Sequence, residues 1–183
     1  MNTKGYVSMN RKSENRAGFT LVELIVVIAI IGILAAILVP AMIGYIADAK
    51  LSSANSSAKS VYNAVMTISQ KMVNAGKQFA PSAAGTSYVI KLENCGSGAI
   101  PAASEYNESA TTGAPGSAED LMQRSIAGSL NKDANGSYAS IVIGDKGFPT
   151  HVAWAKSDTD QYVGAYPEQA DEPTSGGIRS YSF

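Results

Sequence analysis

The chain has 183 residues, with 14 Lys and Arg against 15 Asp and Glu, a net charge of −1, and no basic patch of the kind that tracks a nucleic-acid backbone. Cys95 is the only cysteine, which excludes an intrachain disulfide, a paired-cysteine zinc site and a redox CxxC. Stability outside the cell must then come from packing or assembly, and the mean hydropathy near zero hides a very uneven apolar distribution.

Residues 1–18 carry Lys4, Arg11, Lys12 and Arg16 against Glu14, a net of +3 that leaves −4 for the remainder. This end is expected to stay in the cytoplasm, because cationic flanks resist translocation. An apolar run of 21 residues follows, Phe19 to Val39. As a helix it covers roughly 31 Å, close to the ~30 Å hydrocarbon core of a bilayer. A secretory signal has a shorter run with its small-residue cleavage site after it. Here the small pair Ala17-Gly18 comes first, and the run is long enough to span. One carboxylate, Glu23, lies inside it, where charge is costly and usually functional.

Gly18-Phe19-Thr20-Leu21-Val22-Glu23, the unbroken apolar segment and Pro40 together resemble the N-terminus of type IV pilins and of the related pseudopilins of type II secretion. The resemblance covers about 25 residues, and beyond them the chain matches in architecture only. It implies an α+β pilin fold: a long N-terminal helix packed against a C-terminal antiparallel β-meander. It further implies that a membrane prepilin peptidase cuts after Gly18 and methylates the new N-terminal Phe19. Glu23 would be the assembly glutamate, and the apolar helix would become the core of a filament. An 18-residue leader is longer than that of many type IV pilins and leaves the subclass open, while the lack of a cysteine pair makes the chain look more like pilins of a Gram-positive or disulfide-lacking type.

An α-amino group is the natural partner for Glu23, and cleavage at Gly18 would create one at Phe19 while removing the +3 leader. Pairing with the Phe19 amine of a neighbouring subunit would set register more than net stability, since desolvation offsets much of the Coulomb gain. Two other readings stay open. The amine of the same chain is one helical turn away, and the carboxylate could simply reach the interface.

Gly32, Ala36, Pro40 and Gly44 recur every four residues, a strip that lets helices approach closely or that merely reflects a Gly- and Ala-rich span. Pro40 lacks an N–H, so a kink or local melting is expected between Gly32 and Pro40. Beyond the span, Ile43, Ala47, Leu51, Ala54, Ala58, Val61, Val65, Ile68 and Met72 follow steps of three and four and form an amphipathic stripe. The segment Ser52 to Ser60 has weak helix propensity and needs tertiary support. The whole helix runs from Phe19 to about Asn74, roughly 84 Å, and ends at Ala75-Gly76. The expected organisation is a leader over 1–18, a transmembrane or filament-core half over 19–40, an amphipathic half over 41–75 and a globular β domain over 76–183.

In that domain Ser87–Glu93 alternates as a first strand, and 94–118 reads as an exposed loop. A short helix follows from Ser117 or Glu119 to Leu130, with Leu121, Met122, Ile126 and Leu130 as its apolar side. Strands over Ser137–Ile143, Phe148–Lys156 and Gln161–Tyr166 are separated by the turn sequences GDKG and SDTD.

No phosphate loop, HExxH, nucleophile elbow or paired Cys/His spacing occurs, and His151 is the only histidine, so neither an enzyme nor a cofactor is expected. Asn131, Asp133 and Asn135-Gly136 imitate the start of a calcium loop, but Val142 stands where its bidentate acid belongs, and a polar turn is the simpler reading. Trp154, Tyr138, Tyr162, Tyr166 and Phe148 concentrate in the meander, where they either pack inward or stack on polysaccharide. Asn107-Glu108-Ser109 and Asn135-Gly136-Ser137 match glycan acceptor sequons. The expected function is the major pilin of a type IV pilus, a homo-oligomeric helical filament for adhesion, motility or DNA uptake. It would be stored in the cytoplasmic membrane, extracted by an assembly ATPase and displayed on the cell surface, with a polysaccharide or host surface as an adhesive target. The rivals are a pseudopilin or minor pilin and a monomeric membrane-anchored binding protein.

Overall fold

The computed structural model describes residues 19–79, 85, 87–96, 100–111 and 113–183, so the expected leader and Gly18 lie outside the described residues. The chain divides into two compact units, Met1–Ile43 and Gly44–Phe183. Helix α1, Leu21–Asn74, follows Phe19 and Thr20 in the described part of the first and opens the second.

Within the first unit the helical pattern is unbroken through Gly32 and Pro40, and every described residue is exposed. Phe19, Leu21, Ile30, Ile37 and Ile43 are among the bare apolar side chains.

The second unit begins with the amphipathic part of α1, whose buried stripe is Leu51, Ala54, Ala58, Val61, Val65, Ile68 and Met72. These seven are the positions the three-and-four spacing selects. Ile43 is exposed and Ala47 half-buried, so the covered stripe starts at Leu51. The small residues of Ser52 to Ser60 have a packing reason, because the backbone at Gly164 lies against the helix backbone there. A Cβ added to Gly164 would overlap the carbonyl group of Ala54. The helix ends in a Schellman motif: Lys77 N–H donates to Met72 O at 2.9 Å, Gly76 N–H to Val73 O at 3.0 Å, and Gly76 has φ +71°.

Strands β1 (Ser87–Lys91), β2 (Tyr138–Ile143), β3 (Pro149–Ala155) and β4 (Gly164–Tyr166) form one antiparallel sheet in the order β1-β2-β3-β4. The alternation sends Ile90, Ala139, Ile141, Val152 and Trp154 into one core with the α1 stripe. Helix α2, Ala118–Ser129, adds Leu121, Met122 and Ile126 to it, and Ser117 caps α2 by accepting Asp120 N–H at 3.2 Å. The opposite face is also covered: Ala153 and Ala155 pack with Val163, Ile178 and Tyr181. The residues after β4 thus fold back as a strap, a feature that the strand pattern did not announce.

Two long-range polar contacts fix the helix. Buried Asn55 donates from Nδ2 to Ala170 O at 3.0 Å, and its Oδ1 accepts Ala165 N–H at 2.9 Å and Ala170 N–H at 3.2 Å. Ser125 Oγ of α2 donates to Ala64 O at 3.0 Å. The stretch 94–118, expected as an exposed loop, holds buried Cys95 and Tyr106. Tyr106 packs edge-on against Phe79 at 5.5 Å, and its carbonyl accepts from Lys77 Nζ at 3.1 Å.

Asn55→Ala would strand two buried N–H groups and a carbonyl, and is expected to cost on the order of 3 kcal/mol. Ser56→Ala, on an exposed hydroxyl, should stay within about 0.5 kcal/mol. Denaturant unfolding of the detergent-solubilised chain compares them; equal midpoints would remove the latch role of Asn55.

Candidate functional site

The first turn of α1 is closed by Thr20 and Glu23. Thr20 Oγ1 accepts Glu23 N–H at 3.2 Å. In return Glu23 Oε2 accepts Thr20 N–H at 2.9 Å and the Thr20 hydroxyl at 2.7 Å. This is a capping box, in which N-cap and N3 side chains satisfy each other's orphan backbone donors. The carboxylate also sits at the positive end of the helix dipole. Both bonds fall on Oε2, and Oε1 has no partner among the described residues. Glu23 therefore has local hydrogen bonds that the sequence reading did not assign, although Thr20-Leu21-Val22-Glu23 carries the S/T-x-x-E spacing.

Phe19 precedes the box and is 87% exposed. Because Thr20 and Glu23 both follow the Gly18-Phe19 bond, the box uses no atom of residues 1–18. Gly32 has open space where a Cβ would stand, and Pro40 lies inside the helix. Glu23, Gly32 and Pro40 are thus spread along one exposed rod, and do not converge on a pocket. Their common property is uncovered helix surface.

The other sequence candidates are engaged in the fold. Asn131 and Asn135 flank a 3-10 turn over Lys132–Ala134, and Asp133 lies within it. Asn135 Oδ1 accepts Cys95 N–H at 2.6 Å, and the Lys156 ammonium donates to the Asp133 carbonyl. Among the described residues no group of three His, Cys, Asp or Glu side chains could hold a metal ion. Burial pushes the Cys95 thiol up, which keeps it protonated and unreactive. The ring of half-buried His151 lies 5.3 Å from that of Phe183.

The aromatic residues of the meander do not form a row of free faces. Trp154 is 9% exposed and donates from Nε1 to Ser137 Oγ at 3.1 Å. Tyr166 packs on Tyr62 at 4.8 Å, and Lys50 Nζ lies 4.9 Å from the centre of the Tyr162 ring.

The family described as the prokaryotic N-terminal methylation motif matches residues 14–39, the segment that contains the box and most of the exposed apolar helix. The chain is 46% identical over 56 residues to the type IV major pilin protein PilA of Myxococcus xanthus (strain DK1622), covering 31% of this chain and 26% of that protein. It is 54% identical over 50 residues to a fimbrial protein of Moraxella nonliquefaciens, covering 27% of this chain and 32% of that one. The chain thus spans about a quarter to a third of the length of these curated relatives. No solved structure matches it.

Thr20→Ala removes one half of the box and should weaken the first helical turn by about 1 kcal/mol. In lipid bicelles, hydrogen exchange at the Val22 and Glu23 amides should speed up about fivefold, the factor such an energy corresponds to. Unchanged rates would show that Oγ1 does not hold the turn.

Proposed function

We propose that this chain, whose N-terminal segment is that of the type IV pilin class, is a structural and non-enzymatic subunit, the major pilin of a type IV pilus. The carrying observation is a bare apolar helix that opens with a carboxylate already fixed at its N-terminus. Such a surface is unfavourable in water, and must always have a covering. Lipid supplies it first. After prepilin peptidase removes residues 1–18 and methylates Phe19, copies of the same helix supply it in the filament.

Glu23 is the selecting group in this reading. Its Oε2 remains in the capping box, while Oε1 is available to the Phe19 amine of an adjacent subunit. An incoming chain one step out of register would leave that acid unpaired in an apolar surrounding, which is strongly penalised. Extraction from lipid needs work, for which an assembly ATPase is the expected source. The precursor resides in the cytoplasmic membrane and the product on the cell surface. The names borne by the two relatives, a major pilin and a fimbrial protein, favour the filament over a short pseudopilin fibre.

Glu23→Gln provides a selective test, because Gln also serves at the third helical position of a capping box but carries no charge. Membrane insertion and helix start should be unchanged, while filaments counted by electron microscopy of sheared cells fall at least about tenfold, the equivalent of ~1.4 kcal/mol. Wild-type filament numbers in this variant would sink the pairing step.

Gly18→Leu is expected to leave the precursor uncut. Mass spectrometry of membrane-extracted protein should then find the Met1 leader in place, whereas the parent chain begins at methylated Phe19. Efficient processing of Gly18→Leu would displace the assigned bond. A parent chain that retains its leader would favour a membrane tether instead.

A further inference from the structure

The two sequons differ sharply once folded. The Asn135 triplet is exposed at its Asn but closed at its hydroxyl: Asn135 Oδ1 accepts Cys95 N–H at 2.6 Å, and fully buried Ser137 donates to Ala134 O at 2.5 Å while accepting the Trp154 indole N–H at 3.1 Å. A transferase could read this triplet only by pulling Ser137 out of the core.

Asn107, Glu108 and Ser109 are all exposed. They form the tip of a turn closed by Ala110 N–H to Asn107 O at 3.0 Å, and its base is tied by Asn107 N–H to Gly116 O at 2.9 Å. Tyr106, immediately before the tip, is 8% exposed and anchored on Phe79. The sequon is thus presented outward by a rooted loop, so its modification needs no unfolding. Asn107 Oδ1 accepts Ser109 N–H at 3.1 Å, which fixes that atom as the oxygen and makes Nδ2 the amide nitrogen. Nδ2 has no partner among the described residues. The Ser109 hydroxyl is likewise on an exposed residue, where an enzyme can hydrogen-bond it.

We propose that Asn107 is the acceptor of an N-linked glycan and that Asn135 is not. The donor class is an oligosaccharide on a lipid pyrophosphate, delivered by a membrane oligosaccharyltransferase on the outer side of the membrane. Asn107 Nδ2 forms a bond to the sugar C1, the bond from C1 to the pyrophosphate oxygen breaks, and the lipid pyrophosphate leaves with the electron pair. The Nδ2 proton passes to a base of the transferase. No oxidant or reductant is required. The inference rests on the proposed function only for placing residue 107 outside the cytoplasm.

The test is the intact mass of the full chain extracted by detergent from membranes of its native host. The expected mass exceeds the polypeptide by one oligosaccharide. Asn107→Gln and Ser109→Ala should abolish the increment, whereas Ser109→Thr and Asn135→Gln should retain it. A bare polypeptide mass, or an increment that survives Asn107→Gln, overturns the assignment. Filaments built from a bare wild-type chain would sink this inference alone and leave the filament reading standing.

Discussion

Water cannot solvate the apolar surface between Phe19 and Ile46 without a large penalty, and the fold does not try to hide it. Every side chain from Phe19 to Ile46 is exposed. The second unit spends its own apolar residues on itself: the α1 stripe from Ala54 to Met72, α2 and one face of the sheet close one core, and Leu51 packs with Ala165 and Ala170. A protein of this composition gains nothing from folding its first unit alone. It gains when something apolar arrives to cover it, whether acyl chains or identical helices. That requirement gives the unbroken apolar run its length, since a shorter run would bury in a core or be removed as a signal.

Much of this was legible in the sequence because it follows from short-range patterns. The helix end at Gly76, the buried positions from Leu51 to Met72, helix α2 and the four strands all come from periodicity and turn residues acting over a few positions. What escaped depends on distance along the chain. Asn55 meets Ala165 and Ala170 more than a hundred residues later, and a lone Asn in a Ser-rich helix segment gives no sign of that. Gly164 reads as an ordinary strand glycine until the backbone of Ala54 is placed against it. The C-terminal strap has no alternation, because Ile178 and Tyr181 cover the sheet from a 3-10 turn instead of a strand. Residues 94–118 look like a loop by composition, yet Cys95 and Tyr106 root it.

Asn55 also answers the question posed by a single cysteine. A chain without a disulfide must hold its C-terminal residues by other means. Three hydrogen bonds from one buried amide tie α1 to β4 and to Ala170, while Gly164 removes the side chain that would keep them apart. A buried amide contributes less net stability than its gross bonds suggest, but it is expensive to leave unmade. It therefore acts on register: β4 can meet the helix at one height only. On the other flank, Ser125 on Ala64 does the same for α2 with one bond.

The same logic clarifies why an acid and a threonine three residues apart open the apolar rod. An isolated carboxylate at that position would be costly in lipid, and an isolated set of first-turn N–H groups would be costly too. The box sets the two costs against each other through Oε2, and its bonds use only Thr20 and Glu23. Had Glu23 used both oxygens on Thr20, its charge would have been fully committed within its own chain. With Oε1 unpartnered among the described residues, structural capping and recognition of a second cation are compatible on one side chain. For the proposed assembly self-pairing is not required, because the carboxylate is already hydrogen-bonded by Thr20. In the proposed assembly a neighbour's amine would pair with it, and the same contact would cover the apolar face that the helix cannot bury alone.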